Sequence, residues 1–380
     1  MNRISIITLV ITCFSVVAFN THSFAQCNGD AALCDKRYDE VVYVTTHNGF
    51  NYSPNFQLPN QSFPVSQQMT DGVRAFMLDV YNVFGTPTLY HGTAILGSEP
   101  LEDVLIDIKD FLVANPNEVL TIIFEANITA SEMEAVFVSS GLTPYLYTQT
   151  LGQPWPTLQQ MIDLDQRLVV FSDLDDAGPG QEWYHYMWEY CVETDFSNKS
   201  RADFSCEFNR GDSVNSLFIL NHFITDQLSG TGELDSSVIA NSNPYFINRA
   251  NQCMAEKLKL PNFLTVDFYD VGDVFATKDQ LNANYVSVEN ITGNRMSMHV
   301  FPNPATNVIR ISLEEALVKD LNLSVRDLTG RIVVSYEDAK WSNGYLEISQ
   351  EEIGQGLFFI ELWQGMDLIG IEKVVLNSAN

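Results

Sequence analysis

Val41-Val42-Tyr43-Val44-Thr45-Thr46-His47-Asn48 is the stretch on which the architecture turns. Its first six residues are β-branched or aromatic throughout, as a strand covered on both faces must be. It then delivers an imidazole and an amide at its carboxyl end. The pattern recurs at residues 73–78, 119–124, 168–172, 217–220 and 263–266, which run into Asp79, Glu125, Asp173, Asn221-His222 and Asp267. Helical patterns lie between these runs. Val104, Leu105, Ile108, Phe111 and Leu112 share one helical face, and Asn115-Pro116 stops that helix. Thr129-Ala130-Ser131-Glu132 opens another, which ends at Gly141. Alternating strands and helices over about 250 residues predict an α/β fold, either a (β/α) TIM-type barrel or a doubly wound sheet. Six strand ends bearing polar groups favour the barrel, in which all of them converge on one mouth. In a doubly wound sheet only those beside the switch point would meet. Strand-end capping is the plain alternative for any one of them, and for Asp173 it weighs as much as function.

The flanks read differently. Asn2 and Arg3 precede an apolar run to Phe19, and Ser23-Phe24-Ala25 follows, which predicts a secretory signal peptide over residues 1–25. No later segment has the length and apolar purity to span a bilayer. The expected organisation is therefore a catalytic barrel over 26–285, a linker over 286–298 and a small all-β sandwich domain over 299–380. Five cysteines remain after Cys13, in a compartment where disulfides persist. Cys27 with Cys34 is one expected bridge and Cys206 with Cys253 the other, the alternative for the last two and Cys191 being buried small hydrophobes. The 48 acidic residues against 20 Lys and Arg give a net charge of −28. Such a surface repels nucleic acid and anionic membranes, and it predicts a soluble monomer. A soluble phosphodiester or a zwitterionic head group suits it better than a bilayer does.

Four histidines fall in the large domain: His47, His91, His185 and His222. His47, in Thr-Thr-His-Asn-Gly-Phe, and His91, in Leu-Tyr-His-Gly, follow consecutive strands. Imidazole titrates near neutrality, so such a pair can serve as general base and general acid. Asn48, Asp79 and Glu125 stand beside them. Lys and Arg are scarce near the strand ends; Arg74 lies within a strand, and Arg210 is the candidate on a loop. The remaining candidates for substrate contact are Arg74, Asp173, Trp183, His185, Asn221, His222, Asp267 and Tyr269. Trp183 and His185 belong to an aromatic segment that could equally be buried packing.

The segments around His47-Asn48, Gly72-Val73-Arg74-Ala75-Phe76-Met77-Leu78-Asp79, Leu89-Tyr90-His91-Gly92, Asn115-Pro116-Asn117-Glu118, Ile122-Ile123-Phe124-Glu125 and Val266-Asp267-Phe268-Tyr269 resemble the X region of phosphatidylinositol-specific phospholipase C. The resemblance covers most of residues 35–285. It implies that His47 takes a proton from an inositol hydroxyl, which attacks phosphorus, and that His91 protonates the departing oxygen. It also implies a divalent cation, calcium by likeness with magnesium or manganese as alternatives, held by Asn48, Asp79 and Glu125. The strand of Asp267 and Tyr269 lies beside the substrate in that family, so Asp267 could orient His47. Two departures stand out. Met77 replaces the first acid of the calcium-binding pair, and Asp79 stands where the metal-free members carry an arginine. A glycerophosphodiesterase or sphingolipid phosphodiesterase on the same barrel is the neighbouring alternative. A non-catalytic secreted binding protein with a degenerate metal site is the alternative of another class.

The tail resembles the C-terminal sorting domains of type IX secretion in Bacteroidetes. Phe301-Pro302-Asn303-Pro304-Ala305, Asp327-Leu328-Thr329-Gly330-Arg331 and Gly356-Leu357-Phe358-Phe359-Ile360 carry that likeness. It implies export across the outer membrane, with release or surface attachment to follow; a carbohydrate-binding module is the alternative.

Overall fold

The computed structural model describes residues 26–225, 232–284, 298–313, 321–327, 331–337, 341, 345–364 and 367–376. The expected signal peptide, and all of the expected linker except Met298, lie outside these residues. The chain separates into two compact units, Met1–Asn282 and Ala283–Asn380.

In chain order the first unit holds β1 (Tyr43–Thr46), α1 (Val65–Asp71), β2 (Ala75–Val83), β3 (Thr86–Leu89), β4 (Glu99–Pro100), α2 (Leu101–Ala114), β5 (Leu120–Asn127) and α3 (Ala130–Ser140). It continues with α4 (Leu158–Asp163), β6 (Leu168–Ser172), β7 (Tyr184–Tyr186), β8 (Cys191–Thr194), β9 (Phe208–Arg210), β10 (Leu217–Asn221), α5 (Leu234–Ala240), α6 (Tyr245–Lys257), β11 (Phe263–Val266) and α7 (Val274–Asn284). The sheet runs β7-β6-β5-β2-β1-β11-β10-β8-β9. Every pairing from β7 to β8 is parallel; β9 joins β8 antiparallel, and β3 and β4 hang from β2 as an antiparallel extension.

Of the expected (β/α) TIM-type barrel, the described residues form a curled half-barrel sheet. Along the path β7 bonds to β6 and β8 to β10, with no ladder joining β7 to β8. The physical reason lies in the connection. A single 3-10 turn, Met187–Glu189, separates β7 from β8, and the two strands are three and four residues long. That link has no room for the crossover a parallel pair requires. Trp155, Phe171, Met187 and Tyr190 belong to one buried cluster with Tyr38, Tyr43 and Phe263.

A second correction concerns Asp79 and Glu125. Neither ends its strand, because β2 continues to Val83 to make the hairpin with β3 and β5 continues beside it to Asn127. Both expected helices form. Thr129 and Glu132 make a reciprocal capping box at α3, and Gly141 closes it at φ 79°. The disulfides are Cys27–Cys34 and Cys206–Cys253, and Cys191 is unpaired and buried among the described residues.

The second unit is all-β apart from one short turn of helix. An antiparallel sheet of β12 (Met298–Phe301), β13 (Val308–Leu313) and β16 (Tyr345–Ser349) shares a core with one of β15 (Ile332–Tyr336), β14 (Leu321–Asp327), β17 (Gly356–Gln364) and β18 (Asp367–Leu376). Ile309, Ile311, Leu323, Val325, Ile360 and Val374 alternate inward to form that core. Among the described residues of the chain, no helix is long and apolar enough to cross a membrane.

Candidate active site

The carboxyl ends of the parallel strands open into a cleft lined by His47, Asn48, Met77, Asp79, His91, Glu125, Asp173, Glu193, Arg210 and Asn221, with apolar walls including Trp188, Phe196 and Phe223.

His47 follows β1 in a turn whose shape is set by its neighbours. Asn48 adopts φ 46°, a left-handed conformation that Asn tolerates better than most residues. A side chain at Gly49 would sit 2.7 Å from the Thr46 hydroxyl. Gln61 Nε2 donates to the His47 carbonyl at 2.7 Å, and the His47 amide donates to Val266 O at 3.0 Å. The ring stacks on Phe223, centroids 3.8 Å apart and planes 9° from parallel. His47 Nδ1 lies 2.9 Å from Asp267 Oδ1, and Asn60 Nδ2 donates to the same oxygen at 3.0 Å. A buried carboxylate accepting from Nδ1 fixes the tautomer, which leaves Nε2 as the basic nitrogen.

His91 stands in the same relation to Asp79. Its Nδ1 lies 3.0 Å from Asp79 Oδ2, with Asn48 Nδ2 at 3.3 Å. The cleft thus holds two histidines, each engaged by its own aspartate from a different strand.

Asp79 and Glu125 are register partners on β2 and β5. Burial pushes the Glu125 carboxyl above its usual range, and the charges of Asp79 and Asp173 add to it. Asp173 is raised by burial as well; its Oδ1 accepts from the Ala126 amide at 2.8 Å, so it caps a strand end and faces the cleft at once. Asn221 donates to Glu193 Oε2 at 3.0 Å, and Glu193 in turn binds Arg210 Nε.

The metal ligands implied by resemblance share this cleft, yet they do not make a calcium site. Calcium takes six to eight oxygens. Here there are one amide, 3.3 Å from His91 Nδ1, and two carboxylates, one of them engaged by His91, beside the thioether of Met77. Among the described residues no three His, Cys, Asp or Glu side chains are grouped to hold a metal ion.

Of the other expected substrate contacts, Asp173 and Asn221 line the cleft and Asp267 acts on His47 from behind it. Five do not reach it. Arg74 precedes β2, at the opposite end of the strand, where its Nε binds Glu118 at 2.6 Å and its Nη1 binds Met69 O and Val73 O. Trp183 is buried against Phe137. His185 is buried with both ring nitrogens bonded, to Val170 O and to the Gln149 amide, and burial lowers its pKa to about 4. His222 lies between Phe204 and Phe246, bonded to Ala240 O and Arg249. The Tyr269 hydroxyl donates to Asp71 Oδ2 at 2.6 Å. Sequence reasoning missed Asn60, Glu193 and Phe223 altogether. Their signal is tertiary: each matters through a residue it touches in space.

Residues 33–282 match the family model PI-PLC X 1, and residues 299–377 match the secretion system C-terminal sorting domain. Among curated proteins, an uncharacterized secreted protein of Arthroderma benhamiae is 28% identical, covering 70% of this chain and 65% of its own length. A PI-PLC X domain-containing protein of Arabidopsis thaliana is 27% identical, covering 64% and 62% respectively. The chain therefore spans a little under two thirds of these relatives. Among solved structures, the phosphatidylinositol-specific phospholipase C of Staphylococcus aureus matches with 14% identity and a TM-score of 0.46, over 67% of this chain and 95% of that one.

Proposed function

Because the chain belongs to the PI-PLC X family over residues 33–282, we propose that it is an exported phosphodiesterase that cleaves its substrate by intramolecular attack. The observation that carries this reading is the pair of His–Asp couples, His47–Asp267 and His91–Asp79, on one cleft. A hydroxyl adjacent to the phosphodiester loses its proton to Nε2 of His47. Its oxygen bonds to phosphorus, the bond from phosphorus to the leaving oxygen breaks, and His91 gives that oxygen a proton. The product is a cyclic phosphate, with the proton count conserved. Each aspartate favours the imidazolium form of its histidine at the stage when it carries the proton. The substrate class is an inositol-type phosphodiester, and the sorting domain supports delivery by type IX secretion, with release or surface attachment afterwards.

The test is product release from a panel of phosphodiesters by the wild type, His47→Ala and His91→Ala, with and without chelator. Turnover reduced by about 10²–10⁴-fold in each variant is expected. Turnover that survives both substitutions would remove the acid–base assignment, and none on any diester would return the chain to a binding role. Loss of wild-type turnover on chelation, restored by calcium, would reinstate the metal.

A further inference from the structure

The cleft is short of positive charge. Asp79, Glu125, Asp173 and Glu193 all line it, and among the described residues Arg210 is the one lysine or arginine that does. A phosphodiester anion in it is surrounded by four carboxylates.

Arg210 is held as a ligand-binding guanidinium would be. Its Nε is bound to Glu193, whose side chain is 3% exposed and is fixed from its other oxygen by Asn221. The flat face is clamped between Trp188 and Phe196, with Cζ 4.5 Å from each ring centroid. Stacking and one anchored nitrogen take up most of the side chain's rotational freedom. The two terminal nitrogens make no hydrogen bond to any described residue, and 46% of the side chain is exposed. Directly after it, Gly211 turns at φ 82°, and a side chain there would lie 2.1 Å from the Cys191 carbonyl, so the segment lies hard against β8. A guanidinium with one edge anchored and the other open presents a fork that matches two oxygens of a phosphate.

We infer that Arg210 is the residue that meets the negative charge of the phosphodiester, through its terminal nitrogens, in the part a divalent cation would otherwise take. The inference rests on the phosphodiesterase reading for its ligand. It differs from the metal-free arrangement implied by resemblance, because the arginine comes from β9 and not from the position of Asp79. The cleft then takes a singly charged diester and disfavours a head group bearing further phosphates, which Glu125 and Asp173 would repel.

The experiment uses the full chain in chelator and a diester analogue in which a methylene replaces the leaving oxygen, with binding read by calorimetry and turnover read separately. Wild type should bind without metal. Arg210→Met should bind at least tenfold more weakly, Arg210→Lys should recover only part of the loss, and Arg210→Met/Glu193→Gln should recover none. Wild-type binding that requires calcium would overturn the inference. So would full affinity in the double variant, which would make Arg210 merely the counterion of Glu193. Analogue binding that depends on Arg210, with no turnover of any diester by wild type, would sustain the inference and sink the catalytic reading. Turnover and analogue binding both unchanged in Arg210→Met would do the reverse.

Discussion

Asp267 shows how much of the proposed chemistry depends on a side chain that does not line the cleft. It is 1% exposed, its Oδ1 engages His47 and Asn60, and its Oδ2 has no hydrogen-bond partner among the described residues. A buried carboxylate this sparsely satisfied is costly unless it has an imidazolium to stabilise. Asp267→Asn should therefore lower kcat by roughly 10²–10⁴-fold with KM little changed, because the ring would lose its tautomer and its charge partner together. Steady-state kinetics decide this; a rise in KM alone would place Asp267 in binding. Asp267 was legible at the end of an apolar run, and so were His47 and Asn221. Arg210 was visible only as a loop candidate, since its three-residue strand follows irregular chain with no periodicity to fix where it points. Asn60 had no signal, because it acts from a loop 207 residues away in sequence.

At the scale of elements, length decided what could be read. The six runs that became β1, β2, β5, β6, β10 and β11 are buried on both faces over four or more residues. By contrast β7 is only Tyr-His-Tyr, and β8, as long and as buried as β1, is Cys-Val-Glu-Thr, too mixed in type to separate from packing. The barrel was inferred from strand ends without them, and the sheet path runs through them without a ladder between the two. The extension from β2 carries its own consequence. Glu99 on β4 is desolvated and faces Asp107 and Asp103 of α2, which pushes its pKa up to about 7. A carboxyl with a raised folded pKa contributes stability that is present below its unfolded value, near 4.5, and is lost as pH rises towards 7. Glu99→Gln should thus gain on wild type across that window and exceed it at pH 8 by about 1 kcal/mol, roughly 2–4 °C in Tm. Thermal melts at pH 4 and pH 8 measure it; an equal difference at both would dissociate the effect from titration.

The whole molecule sets the field in which the cleft works. A net charge of −28 and a cleft lined by four carboxylates oppose an anionic diester during approach. Screening shortens that opposition from about 30 Å at 10 mM salt to about 8 Å at 150 mM. With a soluble diester, kcat/KM should therefore rise severalfold over this range, the opposite of a steered enzyme. Initial rates across a sodium chloride series test it, and a falling rate would mean that the local field of Arg210 dominates the approach.

The seam between β7 and β8 also bears on how the protein keeps to itself. A closed barrel offers a neighbour no unpaired ladder, whereas this sheet path terminates at β7 on one side and β9 on the other. Each of those strands is three residues long, and β9 ends in Arg210, turned aside by Gly211. A foreign strand needs a longer row of unmatched amides and carbonyls to zip onto. Brevity at the two ends of this path thus limits edge-to-edge pairing there, as closure does in a barrel.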